Sequence, residues 1–314
     1  MFRHVKRKIR FLFWSALIIL GGVLIYYTGA LLHPAWQGRK LDFCDADLAK
    51  YWGSGCGNLR AQNSYQFREI IIPSLNGYDL PGWFVPVQEN KKTAARGAVF
   101  LIHGGGSDRR EEVKYVEYFI NNYFDVYMMD MGCSGEAPCP VSGLSFGARE
   151  SKDVLSIYFY LAKQYRALIA MGTSVGATSI LISLPAMPAV NAVIAENPMF
   201  SFQRFVMETP ASPPFIPAWY KKLIIGATEL RGEFDGLASS ENSLKLVSST
   251  PIFFIHSEKD ALIPAQHSRD LFAMYGGPKS LWISPVGEHA SVWNVDPKNY
   301  ETRLTEFLRS QHVL

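Results

Sequence analysis

The chain has 314 residues, 48% hydrophobic and 13% aromatic, enough to bury a sizeable core and too apolar for a disordered polypeptide. Its formal charge of +3 arises at the N-terminus, where Arg3, Lys6, Arg7, Lys8 and Arg10 stand without an acidic neighbour; without these five, 26 basic residues face 28 acidic ones, a net of −2. A near-neutral body excludes the basic footprint of a nucleic-acid binder.

The basic stretch 1–10 leads into Phe11–Leu32, 22 residues without a charge. As a helix this segment measures about 33 Å at about 1.5 Å per residue, enough to cross a bilayer. Trp14, Tyr26 and Tyr27 near its ends suit the aromatic belt, and the preceding basic cluster predicts a single-pass signal anchor with its N-terminus in the cytoplasm and its body on the periplasmic or extracytoplasmic side. A cleaved signal peptide is the competing reading, because Thr28-Gly29-Ala30 offers small residues to a signal peptidase; against it, the apolar stretch exceeds the about 7 to 15 residues usual for an h-region. Residues 33–64, with Gly53, Gly55 and Gly57 close together, read as a loop-rich lead-in.

From residue 65 to 314 the pattern is that of one domain. Two strand-like runs, Tyr65–Ile72 and Tyr78–Val87, are joined through Asn76-Gly77, a dipeptide suited to a tight hairpin turn. Short, continuously apolar runs then alternate with amphipathic stretches: Ala98–Ile102, Arg109–Asn122, Asp125–Met129, Ser151–Tyr165, Leu168–Met171, and a helix from Val175 towards Leu184. Apolar strands separated by helices predict a mostly parallel sheet covered on both faces. Val190–Ala195, Pro251–Ile255 and Ser280–Ile283 extend that sheet, and Pro297–Gln311 closes the chain as a helix. Between two of these strands lie residues 198–250, far more than the dozen or so a crossover needs, which predicts a lid. Its opening half holds Pro210, Pro213, Pro214, Phe215, Pro217, Trp219 and Tyr220, which suits the wall of an apolar pocket or, equally, a packed surface insertion.

Cys44, Cys56, Cys133 and Cys139 form two close pairs in sequence. Three pairings are open to them; an exported body favours disulfides Cys44–Cys56 and Cys133–Cys139, a cytoplasmic one four thiols. No Cys/His spacing reads as a metal site.

The chemistry concentrates at strand ends. Gly172-Thr173-Ser174-Val175-Gly176 follows the run Leu168–Met171 and opens a helix, the context of a nucleophile elbow, whose glycines make room for a serine in a strained turn. His103-Gly104-Gly105-Gly106 ends the run Ala98–Ile102, where backbone N–H groups can face a developing oxyanion; Gly105 and Val175 are the expected donors, with Gly106 as a third. A serine needs a base and a carboxylate, expected in the order Ser, acid, His. Asp260 follows the run Ile252–Ile255, and His289 follows the next, so both fit. Glu196, at the end of the strand before the lid, is the runner-up acid. Asp130 reads as a loop-fixing residue and His103 as one that orients the glycine turn.

The HGGG turn, the Asp130–Gly135 loop, GTSVG, the Glu196-Asn197-Pro198 turn, HSEKDALIP and GEHA together resemble the α/β-hydrolase superfamily, from about Gln66 to the C-terminus. With a single N-terminal anchor and a short lid, the chain resembles the membrane-anchored α/β-hydrolase-domain proteins, a branch similar to dienelactone hydrolases and prolyl oligopeptidases. It departs from the former in carrying Ser, not Cys, at the nucleophile, and from the latter in lacking a propeller. The resemblance implies Ser174, Asp260 and His289 as a triad that needs no metal or organic cofactor. The expected substrate is a small-molecule or lipid ester, such as a lysophospholipid or monoacylglycerol. Alternatives are an acyl-protein thioesterase or acyl-peptide hydrolase using the same residues, and a catalytically silent, membrane-tethered binding protein.

Overall fold

Alternation along each strand decides which face of a sheet a side chain enters, and here neither face is polar. In β3 (Gly97–Ile102), Val99 and Leu101 join one apolar cluster while Ala98, Phe100 and Ile102 join another. A strand buried on both sides demands helices on both sides. The computed structural model, which describes residues 2–33, 57–62, 64–140 and 143–314, meets that demand. Its strands are β1 (Arg68–Pro73), β2 (Asp79–Val85), β3, β4 (Phe124–Met129), β5 (Leu168–Thr173), β6 (Ala192–Glu196), β7 (Ile252–Ser257) and β8 (Lys279–Ser284). They form one sheet in the order β1-β2-β4-β3-β5-β6-β7-β8. Only the β1–β2 and β2–β4 pairs are antiparallel; the rest run parallel, as the apolar runs predict.

One face is covered by helices Val116–Asn121 and Pro297–Ser310, which bring Phe119, Tyr300, Leu304 and Phe307 to the core. The other is covered by Glu150–Leu161, Val175–Ser183 and Gln266–Met274, through Val154, Ile157, Ile180, Leu181 and Leu271. The stretch expected as one helix over Arg109–Asn122 divides into a tight 3₁₀ segment, Arg109–Tyr115, and the short α-helix that follows. The reason is tertiary. The charges of RREEVK are buried, with Arg109 donating to Asp130 Oδ2 at 2.9 Å and also held by Glu136, so the solvent face of an amphipathic helix never forms.

Between β6 and β7 the chain makes three helices, Phe202–Glu208, Ala218–Gly232 and Ser240–Leu244. They build a third apolar cluster from Phe146, Phe202, Phe205, Ile216, Tyr220 and Ile224. The N-terminal helix, Phe2–Leu32, contains one segment long and apolar enough to cross a membrane, Lys6–Leu32. Its second half packs on this cluster through Val23, Leu24, Tyr27 and Leu31. Tyr220 Oη donates to the Leu20 carbonyl, Arg231 Nη1 to the Ile25 carbonyl at 3.2 Å and to Thr28 Oγ1, and Leu144 N–H to the Leu32 carbonyl at 2.8 Å. Cys133 and Cys139 are joined in a disulfide. Cys44 and Cys56, and most of the lead-in, lie outside the described residues.

Candidate active site

Strand β5 ends at Thr173 and the helix begins at Val175, which leaves Ser174 at the turn with φ 54°. That left-handed backbone is costly for a residue with a Cβ and persists only where the surroundings over-determine it. Steric closeness explains the flanking glycines. A Cβ on Gly176 would lie 2.2 Å from the Ile102 carbonyl oxygen, and one on Gly172 would lie 2.7 Å from the Gly176 carbonyl carbon. The Ser174 N–H donates to the Glu196 carbonyl at 2.7 Å, which ties the turn to β6.

Three of the side chains singled out in the sequence converge. His289 Nε2 lies 3.0 Å from Ser174 Oγ, and His289 Nδ1 lies 2.7 Å from Asp260 Oδ2. With the carboxylate as partner, Nδ1 carries the proton and Nε2 is free to accept one from the hydroxyl. Asp260 is fully buried at its side chain and surrounded by donors: Asn197 Nδ2 at 2.6 Å, and the N–H groups of Leu262 and Ile263, each at 2.8 Å. A second imidazole, His256 Nε2, stands 3.2 Å from Oδ2. Burial alone raises the Asp260 carboxyl; the hydrogen bonds from His256 and His289 outweigh it and hold the group well below the usual carboxylate range.

Glu196 is not brought to His289. Its Oε2 accepts from Tyr115 at 2.9 Å and from Tyr300 at 2.8 Å, deep in the core. Asp130 accepts from the Arg109 N–H at 2.9 Å and from the Glu136 N–H at 2.7 Å, fixing the loop after β4. His103 receives the Met131 N–H on Nε2 at 3.1 Å and donates from Nδ1 to the Gly104 carbonyl at 2.8 Å, which ties the glycine turn to that loop.

The glycine turn faces Ser174. A Cβ on Gly105 would lie 2.9 Å from Val175 Cγ2, so the two residues expected to supply oxyanion donors are neighbours, and no acceptor among the described residues takes the Gly105 N–H. Glu111 Oε2 accepts the Gly104 N–H at 3.0 Å and orients the loop from below. All of these groups line a cavity of about 270 Å³ together with Leu144, Phe146, Met199 and Phe205 and, from the N-terminal helix, Ala30 and Leu31. The proline-rich stretch of the lid does not line it. Ile216 and Tyr220 are buried in the third cluster, as a packed insertion, the equal alternative, while Phe215 and Trp219 are exposed and the last turn of the N-terminal helix lines the cavity instead.

Sequence reasoning passed over three supporting residues. His256 and Asn197 sit in the HSEKD and ENP segments, four residues before Asp260 and one after Glu196, yet only the fold aims them at the carboxylate. Glu111 carries no local signal at all.

A mostly parallel sheet with a serine in a strained strand-to-helix turn, a histidine and a buried aspartate at the same edge defines a serine hydrolase of the α/β-hydrolase fold. The model of the prolyl oligopeptidase family matches residues 144–304, just over half of the chain, and the chain belongs to that family. Among curated proteins it is similar to the uncharacterized protein YqkD of Bacillus subtilis, 27% identical over 245 residues that cover 76% of this chain and 78% of that one. It is also similar to the uncharacterized protein YfhR of Escherichia coli K12, 25% identical over 246 residues covering 77% and 80%. Among solved structures it superposes on an esterase from Pyrococcus furiosus with a TM-score of 0.63 at 18% identity, covering 79% of this chain and 92% of that one. An acylaminoacyl peptidase from Pyrococcus horikoshii gives 0.59 at 18%, covering 80% of this chain and 42% of the longer one. These likenesses establish the fold.

Proposed function

We propose that the protein hydrolyses carboxylic esters with an apolar acyl group through an acyl-enzyme on Ser174. The observation that carries this reading is the continuous path from Ser174 Oγ to His289 Nε2, 3.0 Å, and from His289 Nδ1 to Asp260 Oδ2, 2.7 Å, at the floor of an apolar cavity. In that reading His289 takes the hydroxyl proton as Oγ attacks the ester carbonyl. The N–H groups of Gly105 and Val175, with Gly106 beside them, receive the oxyanion, a contribution of about 3 to 4 kcal/mol per donor to the barrier. The imidazolium, held against an ionised Asp260, then protonates the leaving alcohol, and water repeats the sequence on the acyl-enzyme. The cavity of about 270 Å³ is close to the lower end of small-molecule sites, roughly 300 Å³, and suits one acyl chain better than a folded peptide.

The same reading anchors the body outside the cytoplasm. The basic residues before Phe11 favour a cytoplasmic N-terminus, and the Cys133–Cys139 disulfide suits an oxidising compartment.

Detergent-solubilised full-length protein tests the proposal. Ser174 is expected to react with a fluorophosphonate probe, and p-nitrophenyl esters graded by acyl length are expected to turn over, with Ser174→Ala silent in both assays. Folded protein that neither labels nor turns over any ester is a binding protein on a hydrolase fold. Preferential turnover of an acyl-peptide or a thioester over its oxygen ester reassigns the leaving group.

A further inference from the structure

The N-terminal helix is long enough to cross a membrane but packed on the body over its second half, so it cannot cross without taking part of the body with it. Beyond the charges that end at Arg10, the contacts with the body among the described residues begin at Leu20 and leave Phe11–Ile19 free, nine residues or about 14 Å of helix against a hydrocarbon core of about 30 Å. From Leu20 to Leu32 it runs beside the lid helix Ala218–Gly232, bonded through Tyr220 and Arg231. A crossing that starts at Phe11 must therefore include the stretch that the lid helix flanks.

The lid is built for that position. Residues 209–220 carry no charge, and Phe215 is 82% exposed. Along the lid helix, Trp219 (60%), Leu223 (47%), Gly226 and Leu230 (81%) recur at spacings of four, three and four, forming one outward apolar stripe. On the N-terminal helix beside it, Phe11, Leu12, Ile18, Ile25 and Tyr26 are exposed as well. Lys222 and Arg231 border the stripe, the Arg231 guanidinium held by the Ile25 carbonyl and Thr28 Oγ1 of the N-terminal helix. Among the described residues nothing covers this apolar surface.

We infer that the outer face of residues 213–230 is embedded in the leaflet on the body's side, and that the cavity takes single-chain lipid esters laterally from that leaflet. This rests on the reading of the N-terminal helix as a membrane span and of Ser174 as the nucleophile. Ala30 and Leu31 then stand at the boundary between acyl chains and headgroups and line the same cavity as Ser174. An ester carbonyl held at that boundary needs no excursion into water to reach Oγ.

The membrane face is tested without any catalysis. Full-length protein in phosphatidylcholine vesicles that contain a diazirine-tailed phosphatidylcholine is irradiated and the adducts mapped by mass spectrometry. Adducts are expected on 213–230 as well as on 11–19. Adducts on 11–19 alone overturn the inference, and adducts on neither remove the membrane span and the inference with it. Entry is tested by a Trp219→Asp/Leu223→Asp variant and, independently, by Phe215→Ser/Leu230→Ser, scored for the variant that keeps the wild-type melting temperature. Turnover of p-nitrophenyl acetate should stay at the wild-type rate while that of monooleoylglycerol in vesicles falls about tenfold. An unchanged ratio of the two rates overturns lateral entry. A wild-type protein inert on both substrates sinks the hydrolase reading, while the adduct map still decides the face.

Discussion

Asp260 has more donors around it than orienting one imidazole requires. His289, Asn197, two backbone N–H groups and His256 all converge on it, so in Asp260→Asn the amide nitrogen meets donors where it needs acceptors. The expected result is a kcat lower by a factor on the order of 10⁴ with KM little changed, since the substrate does not touch this group. Steady-state kinetics on p-nitrophenyl butyrate measure it, and a KM that rises instead would assign Asp260 to binding. Glu111 belongs to the same scale. Among the described residues it accepts the Gly104 N–H alone, so Glu111→Gln, which keeps an acceptor, should retain most of the rate. Glu111→Ala should lose roughly tenfold to a hundredfold in kcat through a loosened oxyanion loop.

A further buried imidazole, His267, has a readout away from the chemistry. His267 accepts the Phe200 N–H on Nδ1 at 3.0 Å, and burial, with Arg204 beside it, pushes its pKa down to about 4 from an ordinary 6.5. The folded value lies below the unfolded one, so the unfolded chain binds the proton more readily. Stability is fully present above pH about 6.5 and is lost as pH falls towards 4, by an amount on the order of 3 kcal/mol. Melting temperatures across that window should therefore fall more steeply for wild type than for His267→Gln. Parallel curves would mean that folding leaves the pKa of His267 unchanged.

At the scale of elements, the elbow is the least negotiable part. Gly176→Ala pushes a methyl against the Ile102 and His103 carbonyls, 2.2 and 2.5 Å from the new carbon. Backbone on both sides leaves nothing soft to move, so a loss of about 3 kcal/mol in unfolding free energy is expected, together with most of the activity. Chemical denaturation of the variant decides it. This steric logic is why the elbow, the HGGG turn and the strand ends were legible in the sequence: apolar runs, glycine spacing and the order Ser, Asp, His are local facts. The 3₁₀ segment Arg109–Tyr115 was not legible, because its charges pair with Asp130 and Glu136 across the fold. Glu196 read as a reserve acid on position alone; two tyrosines from distant elements give it another occupation. Between the two equal readings of the proline-rich stretch, pocket wall and packed insertion, the fold takes the second. Proline-rich apolar residues signal burial against something, and composition does not say whether that surface is the site or a neighbouring helix.

For the whole molecule, the N-terminal helix is more than a tether. A uniformly apolar helix shows no preferred face in sequence, yet Thr28 and Leu32 are buried and Ala30 and Leu31 reach the cavity. The N-terminal helix and the cavity beside Ser174 are therefore one structure, and in the proposed reading the length of chain the site accepts depends on a residue far from Ser174 in sequence. Ala30→Trp should fill the distal end of the cavity. Excluding two methylenes costs about 1.6 kcal/mol, roughly fifteenfold in kcat/KM, so octanoate esters should lose that much while acetate esters, which end short of the wall, keep the wild-type rate. Ile18→Trp, on the exposed part of the same helix, supplies the control, because it adds the same bulk to the anchor without approaching the cavity. An acyl-length profile shifted equally by both substitutions would mean that the helix acts only through the membrane. A shift confined to Ala30→Trp would make the anchor part of the specificity pocket.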